Sequence, residues 1–167
     1  FFENARFGFA DISETTTING YLARGAGTVF PRDLSFAWSV KEEELSNVEN
    51  VFGLYLIKSH NIHLPALGGE MIKEAHEEIN PNTSSVEITI TFTAEGASRW
   101  EQLTEKNRNR YIAIIMDGHV YSCPRVQEKI SGGKAVISGN FSEEEAKDLV
   151  AVLNAGTLPC RLRITSV

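Results

Sequence analysis

What this 167-residue chain lacks narrows the choice before any motif does. It has 2 cysteines, Cys123 and Cys160, and no CxxC spacing, so neither a zinc ribbon nor a thioredoxin-type pair is suggested. Both fall in expected strands, where they read as small buried apolar residues rather than as a disulfide. No apolar run approaches the roughly 18 residues that cross a bilayer, and the first residues show none of the charged and apolar regions of a signal peptide. Positive charge is also in deficit. With 16 Lys and Arg against 22 Asp and Glu, the net charge is −6, which argues against a nucleic-acid partner. There is no GxSxG elbow, HExxH, P-loop or GxGxxG after a strand.

What is present centres on Arg110 to Phe141. The apolar run Tyr111 to Met116 meets Asp117-Gly118, the pair that a two-residue type I′ turn requires, and His119 to Cys123 returns as the second arm of a hairpin. Pro124 has no N–H for a ladder and so marks a strand end or a sheet edge. Gly132-Gly133 turns the chain into a short strand, Ala135 to Ser138. Upstream, Val86, Ile88, Ile90 and Phe92 alternate with polar residues as a half-buried strand. Thr93 caps a helix carrying Ala97, Trp100 and Leu103, and Asn109 suits a left-handed exit before the hairpin. Downstream, Ser142 and Glu145 form a capping box, and Ala146, Leu149, Val150 and Leu153 make a buried helix face. Gly156 ends that helix, and Leu158 to Val167 reads as a last strand.

Strand, helix, hairpin, short strand, helix, strand is the order of a split βαβ unit. The expected class is therefore α+β: a ferredoxin-like sheet with two helices on one face over residues 86–167. Residues 1–85 supply a further β-rich lobe that joins or flanks this core. Within it, Phe1 to Phe9 suggests a strand and the Thr-rich Asp11 to Gly20 a loop, followed by a short helix. Leu34, Phe36 and Trp38 alternate as a strand, and Val51 to Lys58 is another. Glu70 to Ile79 reads as a short helix with Ile72, Ala75 and Ile79 inward, stopped by Asn80-Pro81.

Candidate chemistry is sparse. Asp117 and His119 flank the turn glycine, but the turn itself asks for Asp, and successive strand residues point to opposite faces. His60 and His63 lie three apart without a third ligand to complete a metal site. Trp38 and Trp100 read as core. No catalytic residue, cofactor or metal is expected.

Several pieces keep their order and spacing: VEITITFTAEGASRW, IAIIMDGHVYSCPRV, IxGG at 130–133, AVISGNFSEEEAKDL and LNAGTLP. Together they resemble SecD of the SecD/SecF protein-export machinery, over roughly residues 28 to 165. VFPRDLSFAWSV and LYLIK resemble the fused SecDF form of Bacteroidetes-type bacteria. The signature positions are Gly96, Asp117, Gly118, Pro124, Gly133, Gly139, Asn140, Phe141, Gly156 and Pro159. Asn109, His119, Cys123 and Cys160 depart from the family's usual residues, and the first 27 residues fit it weakly.

The resemblance implies a periplasmic, membrane-tethered domain that transiently binds unfolded exported polypeptide while the proton-motive force drives translocation. Its partners would be the SecYEG translocon and a SecF-type half. One charge crossing the membrane releases about 2.3 kcal/mol per 100 mV, so capture and release once per stroke calls for binding on the order of millimolar. The contact surface would be an open sheet edge or an apolar groove, the edge near Pro124 and the N-terminal lobe being the two candidates. Two other classes remain: a small-molecule porter lobe of a resistance-nodulation-division exporter, and a metal-dependent hydrolase using His60 and His63.

Overall fold

The computed structural model describes residues 6–31, 33–43, 49–58, 66–155 and 163–166. In chain order these form β1 (Arg6–Asp11), α1 (Thr15–Gly25), β2 (Leu34–Glu42), β3 (Val51–Lys58), β4 (Ile72–Ile79) and β5 (Val86–Phe92). There follow α2 (Ala94–Lys106), β6 (Ile112–Met116), β7 (His119–Ser122), β8 (Lys134–Phe141), α3 (Glu143–Ala155) and β9 (Arg163–Ser166). The chain divides into two compact units, Phe1–Ala66 with Tyr111–Pro124 and Arg163–Val167, and Leu67–Arg110 with Arg125–Leu162. The boundaries thus fall where the chain passes between sheets, and not at residue 85.

The first unit is a six-stranded sheet in the order β1-β3-β2-β7-β6-β9. β9 also meets β3, through Lys58 and Ser166, while β1 runs beside the earlier part of the same β3 edge from Val51 to Tyr55. The sheet therefore curls back on itself. One face collects Ala37, Tyr55, Ile57, Ala113, Ile115 and Val120 into a core, with Tyr111 and Cys123 packed at its side. All five residues of β6 are buried, as expected of a strand with neighbours on both edges and both faces covered. Fully burying an isoleucine such as Ile57, which is 1% exposed, contributes roughly 1.5–3 kcal/mol. A single 3-10 turn, Ile12–Glu14, links β1 to α1, and the Asp11 carboxylate caps that turn by accepting from the Ser13 amide at 2.8 Å and from its hydroxyl at 2.6 Å. Thr15, Ile18 and Leu22 of the helix are half-buried, and Asn19 Oδ1 accepts from Trp38 Nε1 of β2 at 2.9 Å.

The second unit is an antiparallel sheet, β4-β5-β8, with α2 and α3. Ile88, Ile90 and Phe92 of the central β5 are buried, α3 packs on the sheet with Ala146, Leu149 and Leu153 inward, and Trp100 of α2 stacks 5.5 Å from Phe92. Both helix starts are built as the residues suggest. Thr93 Oγ1 accepts from Gly96 N at 3.1 Å, and Ser142 and Glu145 exchange bonds of 2.7 and 3.2 Å.

The α+β class is as expected, but the pairing inside it corrects the expectation of one ferredoxin-like sheet over 86–167. The hairpin strands β6 and β7 pair with each other, with β9 and with β2, whereas β5 pairs with β4 and β8. The physical reason is edge occupancy. Both edges of β5 are taken by β4 and β8, so the hairpin has no place beside it.

The second correction is β4, expected as a helix. A bulge between Ile72 and Glu74 puts Lys73 out of register, so Ile72 and Ala75 come to the same side although three residues apart. A bulged strand has here produced the spacing of a helix face.

Candidate functional site

Two of the signature glycines, Gly96 and Gly133, act through close approach. A Cβ on Gly96, in the first turn of α2, would lie 2.6 Å from the Met71 carbonyl oxygen and 2.9 Å from Met71 Cβ. That carbonyl also accepts from Thr93 N at 2.8 Å, so the helix start is held against the chain entering β4. Gly133, at φ +72, would bring a Cβ to 3.0 Å from Ala97, and its carbonyl accepts from Phe92 N at 2.9 Å. Both adjacent turn glycines, Gly132 and Gly133, have positive φ, which few side chains tolerate.

Two polar clamps in this unit escaped the sequence reading. Thr104, 0% exposed, donates its hydroxyl to Trp100 O at 2.9 Å and accepts from Ile130 N at 3.0 Å, tying the segment before the glycine pair to α2. A threonine one turn beyond Trp100 on an inward face was the available signal. At the other side, Asn154 of α3 accepts from Ala75 N at 2.7 Å and donates to Ala75 O at 2.8 Å. Its amide occupies the outer edge of β4 as a neighbouring strand would, which blunts that edge. Nothing in the local sequence signals this contact, which spans 79 positions.

In the first unit, the Asp117-Gly118 turn is formed with φ of 48° and 80°. His119 Nδ1 lies 3.1 Å from the backbone oxygen of Asp117, and both side chains are exposed, so the geometry is that of a turn. Pro124 follows the end of β7, and its carbonyl accepts from Ile112 N at 3.0 Å. β7 is bounded by β6 on one side and by a parallel pairing with β2 at Trp38 and Ser39 on the other. The pairing with β2 thus covers the start of β7 at His119 and Val120, and the ladder stops short of Pro124. Gly139, Asn140 and Phe141 lie in β8, where the surroundings of Gly139 and Asn140 are not described, and Gly156, Pro159, His60, His63 and Cys160 lie outside the described residues. Trp100 is core at 5% exposure, and Trp38 is half-buried. No three His, Cys, Asp or Glu side chains gather among the described residues.

Tyr55 donates its hydroxyl to Glu43 at 3.0 Å, and Glu43 also meets Arg6 at 3.0 Å. Burial, reinforced by the Glu43 carboxylate, raises the Tyr55 phenol above its ordinary range. Burial likewise pushes the Cys123 thiol up to about 12. An unfolded thiol ionises near 8.5, so between about 8.5 and 12 the unfolded chain binds fewer protons than the folded one. Stability from this group is present below that window and falls as pH rises through it. In a Cys160→Ser variant, thiol labelling at pH 8 should be at least tenfold slower for the folded chain than in denaturant; equal rates would contradict the burial of Cys123.

The apolar surface of the first unit is unusually open. Phe7 and Phe9 on β1 are 42% and 45% exposed, and β1 stands at the end of the sheet order, paired among the described strands with β3. Phe7 meets Phe36 edge-on at 5.4 Å and Phe36 meets Phe30 at 5.0 Å, giving a continuous aromatic row. Val29, beside Phe30, is 75% exposed. Arg6 lies over Phe9 at 5.3 Å.

The profile of the SecDF P1 head subdomain matches residues 49–160. The chain belongs to the SecDF P1 head family. Its core strands β5 and β8, both long helices and the Asp117-Gly118 hairpin lie inside that span. The protein translocase subunit SecD of Syntrophobacter fumaroxidans is 46% identical over 98 residues, 59% of this chain and 18% of that protein. Protein translocase subunit SecDF of Thermus thermophilus is 36% identical over 112 residues, 67% of this chain and 15% of that protein. The chain thus corresponds to less than a fifth of the length of these relatives. Among solved structures, a SecDF described as a membrane component that enhances protein export is 36% identical at a TM-score of 0.54, over 62% of this chain and 46% of that one. SecDF in a super-membrane-facing form is 27% identical at a TM-score of 0.56, over 78% of this chain and 20% of that one. Among the described residues, no helix is long and apolar enough to cross a membrane.

Proposed function

We propose that the chain is a periplasmic domain of a SecDF-type translocase subunit that binds exported polypeptide weakly and repeatedly, assisting translocation driven by the proton-motive force. Membership of the SecDF P1 head family carries this reading. The partners it implies are the SecYEG translocon, the SecF-type half of the intact protein and the exported chain itself. The role is mechanical, without a reaction catalysed by this domain.

The row of exposed Phe7, half-buried Phe36 and Phe30, and exposed Val29 supports a place for the chain, with exposed Phe9 on the other face of β1. Aromatic rings spread across neighbouring strands offer apolar contact that tolerates many sequences, and an outer strand adds the option of backbone pairing. Such contacts suit binding on the order of millimolar, weak enough for release in each cycle. Titration of an unfolded apolar peptide into the 167-residue chain, followed by backbone amide shifts, should move the signals of β1 and β2 with millimolar saturation. Shifts confined to the second unit, or saturation at micromolar peptide, would contradict it.

A further inference from the structure

The net charge of −6 conceals a local excess of the opposite sign. Lys106 closes the last turn of α2, where a cation complements the helix dipole. Beyond the helix, that explanation does not reach Arg108, Arg110 and Arg125. The chain leaves α2 through Asn109, at φ 62°, and is held by Asn109 N to Val126 O at 2.7 Å and Val126 N to Arg110 O at 2.8 Å. This brings Arg125 beside Arg110, and Arg125 Nε donates to Asn109 O at 3.3 Å. All four cations are exposed, and none forms an ion pair with a described carboxylate. Two of the nearby acids are already engaged, Glu101 and Glu105 holding Lys129 at 2.7 and 3.8 Å, while exposed Glu128 forms no ion pair with the four cations.

We infer that the turn formed by Lys106, Arg108, Arg110 and Arg125 is a docking surface for anionic lipid headgroups of the bilayer to which the intact protein is tethered. The inference rests on the membrane tether in the reading above, but not on the aromatic row. Three of the four cations are arginines, whose planar forks pair with phosphate oxygens in two-point fashion. No large exposed apolar side chain lies between residues 104 and 126 among the described residues. A site for a peptide would need such an anchor, whereas contact with a charged surface requires only the cations. The distributed negative charge of the rest of the chain is screened beyond about 10 Å at 0.1 M salt and does not cancel the local field.

The test uses amide spectra of the 167-residue chain with nanodiscs of phosphatidylglycerol and phosphatidylcholine in a 3:7 ratio, or of phosphatidylcholine alone. With the anionic discs, signals of residues 106–110 and 125–126 should broaden first, and 0.5 M salt should remove the effect. Each basic residue near an anionic surface strengthens association about fivefold, so Arg108→Gln with Arg110→Gln and Arg125→Gln should weaken it about 100-fold. Lys147→Gln, an exposed cation on α3, should leave it unchanged, and retained dispersion of the spectrum certifies that each variant is folded. Equal broadening with neutral discs, or broadening centred elsewhere, would overturn the inference. So would shifts of these amides by oligoglutamate without any effect of the anionic discs, which would assign the turn to an acidic polypeptide.

Discussion

Truncating Ile115 to alanine is expected to destabilise the chain by about 3 kcal/mol, within the roughly 2–5 kcal/mol typical of a buried isoleucine that leaves a cavity. Ile115 is 3% exposed and shares a core with Ala37, Tyr55, Ile57, Ala113 and Val120. Those residues come from β2, β3, β6 and β7, so the side chain ties the hairpin to strands more than fifty positions earlier. Pairing the change with Ile57→Ala should reveal this directly. Side chains in one packed cluster give a coupling of about 0.5–3 kcal/mol in a double-mutant cycle. Urea unfolding of the four variants measures it, and strict additivity would mean that the hairpin packs elsewhere.

Gly96→Ala gives the second large effect, and its sign is the informative part. In an ordinary helix the change stabilises by about 1 kcal/mol, because alanine loses less backbone entropy than glycine. Here the new methyl would stand 2.6 Å from a backbone oxygen, that of Met71, and 3.2 Å from Phe92 Cβ. A backbone atom held by its own hydrogen bond to Thr93 cannot swing aside as a side chain does. Overpacking of this kind costs about 1–3 kcal/mol, occasionally more, so a net loss of about 2 kcal/mol is expected in thermal or urea unfolding. A variant more stable than the parent would show that α2 does not press on the start of β4.

Local rules made much of this molecule legible. Asp117-Gly118 gave the turn because positive φ at two successive positions has few residue solutions, and Asn109 was found at φ 62° for the same reason. Thr93 and the Ser142–Glu145 box placed both long helices because a cap is a contact of three residues or fewer. α1 was less visible, since its run of β-branched threonines argues against a helix, a weak preference that the fold overrides. β4 was misread because a bulge and a helix can both set inward residues three apart.

Sheet membership was not legible at all. Strands β5 and β6 are both apolar and lie twenty residues apart, yet their partners differ because pairing is chosen by whichever edges the remaining chain has left open. The burial of β6 on both faces had one trace in the sequence: an apolar run without alternation, which marks a strand covered on both sides. The basic turn was hidden for another reason. A net charge sums over the whole surface, while Arg110 and Arg125 become neighbours only through the backbone bonds at Asn109 and Val126.

The most direct test of the export role is site-specific photocrosslinking in the intact membrane protein during secretion of an arrested substrate. Probes at Phe7, Phe9 and Phe36 should trap the exported chain, and dissipating the proton gradient should change the yield. Labelling at these positions no stronger than on a cytoplasmic loop of the same protein would contradict the account.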